Sequence, residues 1–358
     1  LDAPASTTII TRRDVRLSGM LFIPELFRRA AGVEVMTTTP IDSNISIRGF
    51  NQRLSNRMLV LVDGRSTYID TLGATLWAPL PLSPLDIERV EITRGPASAL
   101  YGANSFAGII NIITRPPGPA ETEAMLGFGN GGQLTGVAYT SGYLGPIAYR
   151  ISAGYLRAQR FSLEVSPERV DYYAPTTFGD PSLGVDGYWG NASLRYRIIP
   201  EVVANLQGGF AQRHQDFQGT GPLRDFVAQG PVGHVLGSIE TPYGTVRAFY
   251  THIDAQAQLG TVPTGTPSLL TNFESGTLDV EAEFAQEFDL LVHHNFHLGA
   301  SYRRKTIDWD YLGQAYEQNH FAVFTQEAMR ITKWLSLMSS LRMNVHPLLN
   351  NPVFSPRD

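Results

Sequence analysis

From about residue 120 onward, apolar and polar side chains alternate with period two over most of the chain. In the segment 188–198, Tyr188, Gly190, Ala192, Leu194, Tyr196 and Ile198 make a largely apolar face, opposed by Asn191, Ser193, Arg195 and Arg197. Ile147, Tyr149, Ile151, Ala153 and Tyr155 alternate with Arg150 and Ser152, and Leu278, Val280, Ala282 and Phe284 alternate with Asp279, Glu281 and Glu283. The same rhythm runs through 202–210 and 335–345. A single run of this kind also describes a strand of a soluble sandwich. Many runs in series, with tyrosines at the ends of the apolar faces and charges opposite, predict an antiparallel transmembrane β-barrel wall. Eleven strands are predicted, near 122–130, 134–144, 147–158, 187–198, 201–213, 232–240, 243–258, 274–288, 293–305, 318–331 and 334–346. Long stretches at 159–187, 214–230 and 259–273 alternate with tight connections at Gly145-Pro146, Ile199-Pro200 and Pro242-Tyr243-Gly244. Long loops on one side and short turns on the other are the asymmetry of such a wall. Arg150, Arg195, Arg197, Asp279, Glu281 and Glu283 are the candidate lumen-facing residues.

Before the Pro116-Pro117-Gly118-Pro119 boundary the elements are short and mixed, which predicts a small α+β domain over 1–117, with the partial barrel over 118–358. Thr11-Arg12-Arg13-Asp14 has capping-box spacing, and Gly19 can supply the left-handed stop of a short helix. A second helix is predicted from Pro24 to Gly32. Met58–Val62 and Arg65–Ile69 flank Asp63-Gly64, the dipeptide that a type I′ hairpin turn prefers. Ser83-Pro84-Leu85-Asp86 again has a capping pattern, followed by Val90 and Ile92 on one strand face. Pro96 opens a helical turn that Gly102 can close, and Ile109–Thr114 is an apolar strand.

Composition narrows the class. The chain has 358 residues, no cysteine, a formal charge of −5, and 43% hydrophobic against 17% charged residues. Absence of cysteine removes disulfide staples and thiolate metal sites, and fits an oxidising periplasm or cell surface. No apolar run of about 18 residues is present, so no transmembrane helix is predicted, which leaves a β-barrel open. The sequence opens at Leu1 without Met, a basic n-region or an apolar h-region, and is read as a processed or trimmed product. Residues 1–117 carry a net charge of +2 and residues 118–358 a net −7, a mildly basic insert facing an acidic wall. Neither part is basic enough to suggest nucleic acid.

The segment Asp86–Arg115 reads Asp-Ile-Glu-Arg-Val-Glu-Ile-Thr-Arg-Gly-Pro-Ala-Ser-Ala-Leu-Tyr-Gly-Ala-Asn-Ser-Phe-Ala-Gly-Ile-Ile-Asn-Ile-Ile-Thr-Arg. Upstream of it lie Ile47-Arg48-Gly49-Phe50 and Asp63-Gly64-Arg65, in that order. Together these motifs resemble the plug domain of TonB-dependent outer-membrane receptors, over roughly residues 4–117. The resemblance implies that the arginines of Arg48-Gly49 and Arg94-Gly95 pair with carboxylates of the barrel wall and hold the plug. A guanidinium suits that role because it binds a carboxylate bidentately and stays charged when partly buried. Two solvated surface arginines are the alternative. Gly49, Gly64, Gly95 and Gly102 serve backbone geometry. Phe50, Asn51, Tyr68 and Trp77 are ligand-contact candidates at the outward tip, with burial in the plug core as the competing explanation for the aromatics.

The family's barrels have twenty-two strands. A closed eleven-strand barrel, at about 4.8 Å strand spacing and 40° tilt, has a backbone radius of about 11 Å. A compact domain of this plug's size has a radius of gyration near 13 Å and does not fit inside. The predicted fold is therefore a small α+β plug followed by about half of a 22-stranded antiparallel transmembrane barrel. Either this is the N-terminal half of a longer protein or another chain completes the wall; the end, Asn351–Asp358, reads as a turn leading to a further strand.

Several patterns are decoys. Gly127-Phe128-Gly129-Asn130-Gly131-Gly132 has dinucleotide-fingerprint spacing, but a strand follows where that motif needs a helix, so a hairpin is predicted. His293 and His297 share a strand face about 13 Å apart, too far for one metal. Asp308-Trp309-Asp310 lacks the remaining ligands of a calcium loop. With no nucleophile motif, no acid pair in a plausible pocket and no zinc signature, no enzyme activity, cofactor or metal is expected.

The resemblance implies an outer-membrane transporter, embedded in outer-membrane lipid. It takes up an external metal chelate, cobalamin or carbohydrate, with energy from a TonB-type coupling protein because no nucleotide site is present. The family's partner-binding box precedes the plug and is not recognisable before Pro4. The rival readings are a non-transporting plugged-barrel subunit of an envelope assembly, and a soluble β-rich binding protein. Tyr172, Tyr173, Phe178, Asp180 and Phe226 in the long loops suit nearly any chelate or sugar.

Overall fold

The computed structural model describes residues 6–49, 57–69, 72–78, 80–95, 105–161, 183–217, 226–259, 270–332 and 334–357. The predicted turn at Pro96–Gly102 and the loop residues Tyr172, Tyr173, Phe178 and Asp180 lie outside them, and of Phe226 only the backbone is described.

The first part is built of β1 (Ser6–Thr11), α1 (Arg12–Ser18), α2 (Ile23–Leu26), β2 (Val33–Thr37), β3 (Ser43–Ile47), β4 (Met58–Val62), β5 (Arg65–Ser66), β6 (Tyr68–Ile69), β7 (Ala74–Thr75), β8 (Ile87–Arg94) and β9 (Gly108–Thr114). A five-stranded sheet runs β1-β8-β9-β4-β5, with β4 and β9 parallel and the other pairs antiparallel. Helix α1 starts at Thr11, whose side chain and Asp14 cap one another, and stops at Gly19 with φ 65°. Helix α2 carries Pro24 in its first turn and gives way to a single 3₁₀ turn, Phe27–Arg29. It is thus shorter than the predicted span to Gly32, because Ala30 turns extended and Gly32, at φ 72°, redirects the chain into β2. The Ser83–Asp86 capping box also forms, closing one 3₁₀ turn ahead of β8. Period two sets the sheet's two faces. Val60, Val90, Ile92, Ile110 and Ile112 point into a fully buried core, covered by Val15, Ile23, Leu26 and Phe27.

Beyond Thr114, three prolines (Pro116, Pro117 and Pro119) separate this sheet from a second one. Its strands are β10 (Glu121–Gly129), β11 (Gln133–Leu144), β12 (Ile147–Gln159), β13 (Leu183–Ile199), β14 (Val202–Phe217), β15 (Phe226–Thr241), β16 (Gly244–Leu259), β17 (Leu270–Leu290), β18 (Val292–Trp309), β19 (Tyr316–Arg330), β20 (Ser336–Val345) and β21 (Val353–Arg357). They pair in chain order as one antiparallel sheet of twelve. All eleven predicted strands are present, and β21 is the twelfth, formed where only a turn towards a strand was expected. The loops at 159–187, 214–230 and 259–273 are each shorter than predicted, because β13, β14, β15 and β17 extend into them. The apolar alternation marks only the lipid belt, whereas the backbone ladder continues wherever neighbouring strands can still pair. Gly129 and Gln133 pair across the turn at 130–132, so the glycine-rich run is a hairpin.

Burial on this sheet is inverted relative to a soluble protein. On β13, Tyr188 is 55% and Ile198 50% exposed, whereas Asn191 and Ser193 are buried. On β14, Leu206 and Phe210 are exposed and Gln207 is buried. Apolar side chains face outward and polar ones inward, towards the plug, which lies against the inner face. Among the described pairings β10 and β21 are the two edges and do not join, so these twelve strands do not curl shut around the plug.

Candidate functional site

The site is the contact between plug and wall. At its start, the alternation of β10 puts Glu121 and Glu123 on one face. Arg12, on the first turn of α1, reaches both at 2.6 Å. Arg115, just past β9, pairs with Glu121 and lies 2.9 Å from Glu123. Its guanidinium also donates to the carbonyl of Leu85 at 3.2 Å and lies 3.7 Å over the ring of Tyr139. Arg16 approaches Glu123 at 3.5 Å. Burial by itself lowers the pKa of Arg12, but the hydrogen bonds and charges of Glu121 and Glu123 outweigh it and hold the group above its ordinary value. Arg115 is only 4% exposed, so this is a largely dry, charge-assisted anchor. Two carboxylates at i and i+2 where the first wall strand begins are the sequence signal that would have found it.

Arg48 and Arg94 are placed differently. Strand register sets Arg94 opposite Ser6, and its guanidinium donates to Ser6 Oγ at 3.4 Å and Thr8 Oγ1 at 2.8 Å. Arg48, itself at φ 59°, is exposed, and its Nη1 lies 3.9 Å from where a Cβ on Gly95 would stand. The two arginine-glycine dipeptides thus meet each other. Among the described residues the ion pairs joining plug to wall come from Arg12, Arg16 and Arg115, not from Arg48 or Arg94.

The Asp63-Gly64 turn also docks on the wall. Asp63 and Gly64 have φ of 52° and 77°, both left-handed as a type I′ turn requires. Asp63 accepts from the Thr114 backbone at 2.8 Å and from its hydroxyl at 2.7 Å. A Cβ on Gly64 would fall on the guanidinium of Arg247, which is held by Glu281 at 2.6 Å. Further along, Asn191 donates to the carbonyl of Pro81, and Arg213 to those of Ala78 and, at 3.2 Å, Leu80. These wall groups satisfy irregular plug backbone that water cannot reach. Around them Ile41 and Ala78 pack on Val137, Leu156, Val185, Trp189 and Ala211, an apolar seat within the lumen.

Of the lumen-facing candidates, Arg150 is buried and donates to the carbonyl of Arg115 at 2.7 Å. Arg195 and Arg197 continue the face of Asn191 and Ser193 towards the short-turn end, half-buried and exposed respectively. Asp279 pairs with Arg303 at 2.5 Å, and Glu283 with His297 at 2.8 Å. Together with Glu281 they line a gap of about 300 Å³ between the wall and Leu59, Leu61, Gly64 and Tyr68 of the plug. Tyr68 also lines a second gap, of about 240 Å³, nearer the long-loop end. Trp77 is not at the tip: it is 6% exposed and packs in the plug core, its ring 5.2 Å from that of Phe27. Phe50 and Asn51 lie outside the described residues. His293 donates from Nδ1 to the Asp289 carboxylate at 2.9 Å, and does not share a centre with His297.

Residues 1–109 match the family model described as the TonB-dependent receptor plug domain. The chain is 29% identical over 200 residues to the vitamin B12 transporter BtuB of Vibrio vulnificus, covering 54% of this chain and 32% of that protein. It is 39% identical over 122 residues to an iron-regulated outer membrane virulence protein of Vibrio cholerae, covering 32% of this chain and 18% of that one. The chain therefore spans about a third or less of the length of these relatives. Among solved structures, FpvA of Pseudomonas aeruginosa bound to pyoverdines superposes with a TM-score of 0.74 at 17% identity, covering 99% of this chain and 53% of that one. The siderophore receptor PirA of the same organism gives 0.73 at 18% identity, covering 99% and 58%. None of these similarities supports a non-transporting subunit.

Proposed function

We propose, for a chain that is the plug domain and N-terminal barrel part of a TonB-dependent outer-membrane receptor, that the whole protein imports a scarce external ligand through its plugged lumen. The candidates are a metal chelate, cobalamin or a carbohydrate. The division between plug and wall is taken at residues 117 and 118. The observation that carries the proposal is the pairing of an apolar outer face with a polar inner face on which a folded plug is seated. A wall of that kind crosses lipid, and a seated plug closes it until force displaces it. That force comes from an inner-membrane coupling protein. Tyr68, Phe50 and Asn51 supply ligand contacts, and Arg48 and Arg94 bind wall carboxylates other than those described. The chain assists passage and catalyses no reaction.

Uptake of radiolabelled cobalamin and of a ferric siderophore into cells expressing the whole protein tests this. Accumulation that disappears when the coupling protein is deleted, while surface binding persists, is the expected result. Accumulation of neither ligand above background removes the chelate and cobalamin readings, and uptake indifferent to that deletion overturns the proposal.

A further inference from the structure

The gap of about 240 Å³ has an unusual lining. Strand register puts His234, Thr251, Thr277, Lys305 and Gln318 in one lateral row across five neighbouring strands, β15 to β19, and all five line the gap. The row above it, Val232, Ile253, Ser275, Ile307 and Tyr316, lines it too. From the plug side Arg65 enters, 4% exposed, with Nη1 donating to Thr251 at 3.3 Å.

Arg65 is a buried cation that no carboxylate faces among the described residues. Asp63, two residues away on the same hairpin, spends both its oxygens on Thr114. Among the described residues no aspartate or glutamate lines the gap. The next row down contains Asp279, already held by Arg303 at 2.5 Å. Burial draws the Arg65 pKa down to about 10, against the opposing pull of Asp63. A desolvated guanidinium with one long hydroxyl contact is costly to the folded protein unless an anion completes it.

We propose that this gap is a binding site for an oxyanion group, a carboxylate or phosphate, held between Arg65 of the plug and Lys305 of the wall. The hydroxyls of Thr251, Ser275, Thr277 and Tyr68 supply further donors around it. The gap reaches the long-loop end through Ile307, Tyr316 and Gln318. A bound anion would bridge plug and wall, so displacing the hairpin would release it. The site deepens the uptake reading, on which it rests for the source of its ligand, by assigning that ligand an anionic arm.

The test is equilibrium dialysis of the detergent-solubilised chain against radiolabelled inorganic phosphate and, separately, citrate, with glucose as the neutral comparison. Saturable binding of one or both oxyanions, but not glucose, is expected, and which of them binds tells phosphate from carboxylate as the group recognised. Arg65→Gln should weaken it about tenfold or more, and Arg65→Lys by less, because it keeps the charge but loses the planar fork. Lys305→Gln, on the wall and independent of plug packing, should weaken it about threefold or more and decides the matter if Arg65→Gln does not fold. No saturable oxyanion binding, or unchanged binding in the folded variants, overturns the proposal. Uptake that persists without oxyanion binding discards the site alone, whereas oxyanion binding without uptake discards the transport reading alone.

Discussion

Gly64→Ala separates two demands that the hairpin turn places on one residue. The first is backbone conformation: at φ 77°, a side chain costs about 1–2 kcal/mol, because Cβ crowds the following carbonyl. The second is space, since the new Cβ would sit on the guanidinium of Arg247. That guanidinium ends a flexible side chain and can swing away, so the steric cost is limited to what the Arg247–Glu281 pair contributes. With the two side chains 30% and 20% exposed, that is about 0.5–1 kcal/mol. Gly64→Ala should therefore destabilise the plug by about 1.5–3 kcal/mol, and by about 0.5–1 kcal/mol less when combined with Arg247→Ala than the two single effects added. Urea titration of the detergent-solubilised chain, followed by hydrogen exchange at the Val60, Val62 and Ile112 amides, reads the loss residue by residue. Strict additivity of the two substitutions would refute docking of the turn on Arg247. A neutral Gly64→Ala would refute the left-handed turn itself.

Arg115→Ala should cost about 2–3 kcal/mol in the same titration, below the usual penalty for breaking a fully buried pair because Glu121 is 39% exposed; a loss within 0.5 kcal/mol, roughly that of a surface position, would remove the anchor. Ala192→Arg, midway between the outward-facing Tyr188 and Tyr196, should lose about 2–4 kcal/mol on folding into lipid vesicles; equal tolerance of arginine at 192 and at the inward neighbour 193 would contradict the assigned faces. Glu25 is pushed up by burial, but hydrogen bonds from Arg28 and Thr37 and the charge of Arg28 win and lower its pKa below the ordinary 4.5. Its contribution is therefore complete above the unfolded value and lost as pH falls through the lower folded value. Urea midpoints between pH 6 and pH 3 should fall less for Glu25→Gln than for the parent chain, and parallel curves would show that the pair adds nothing.

The motifs around Arg48, Asp63 and Arg94 were legible because each needs a special local geometry. Asp63-Gly64 turned as its residue types demand, and the capping boxes at Thr11 and Ser83 formed. The wall strands were legible because lipid and lumen impose opposite polarity on successive residues. What was not legible is which cation meets which anion. Strand register sets Arg94 opposite Ser6, and it takes that hydroxyl together with the one of Thr8, plug partners that no local pattern names. Arg115, unremarkable in sequence, is the residue that the plug and the first wall strand bury between them. Trp77 could equally have been tip or core, and packing against Phe27 decided it.

The sequence alone thus determined the elements and their faces, since hydrogen-bond closure, left-handed turns and side-chain alternation act over a few residues. Only the tertiary structure decided how plug and wall meet, including the row that gathers His234, Thr251, Thr277, Lys305 and Gln318 opposite Arg65. Those partners stand up to 253 positions apart in the chain, and lateral strand register, which no local pattern encodes, brings them together.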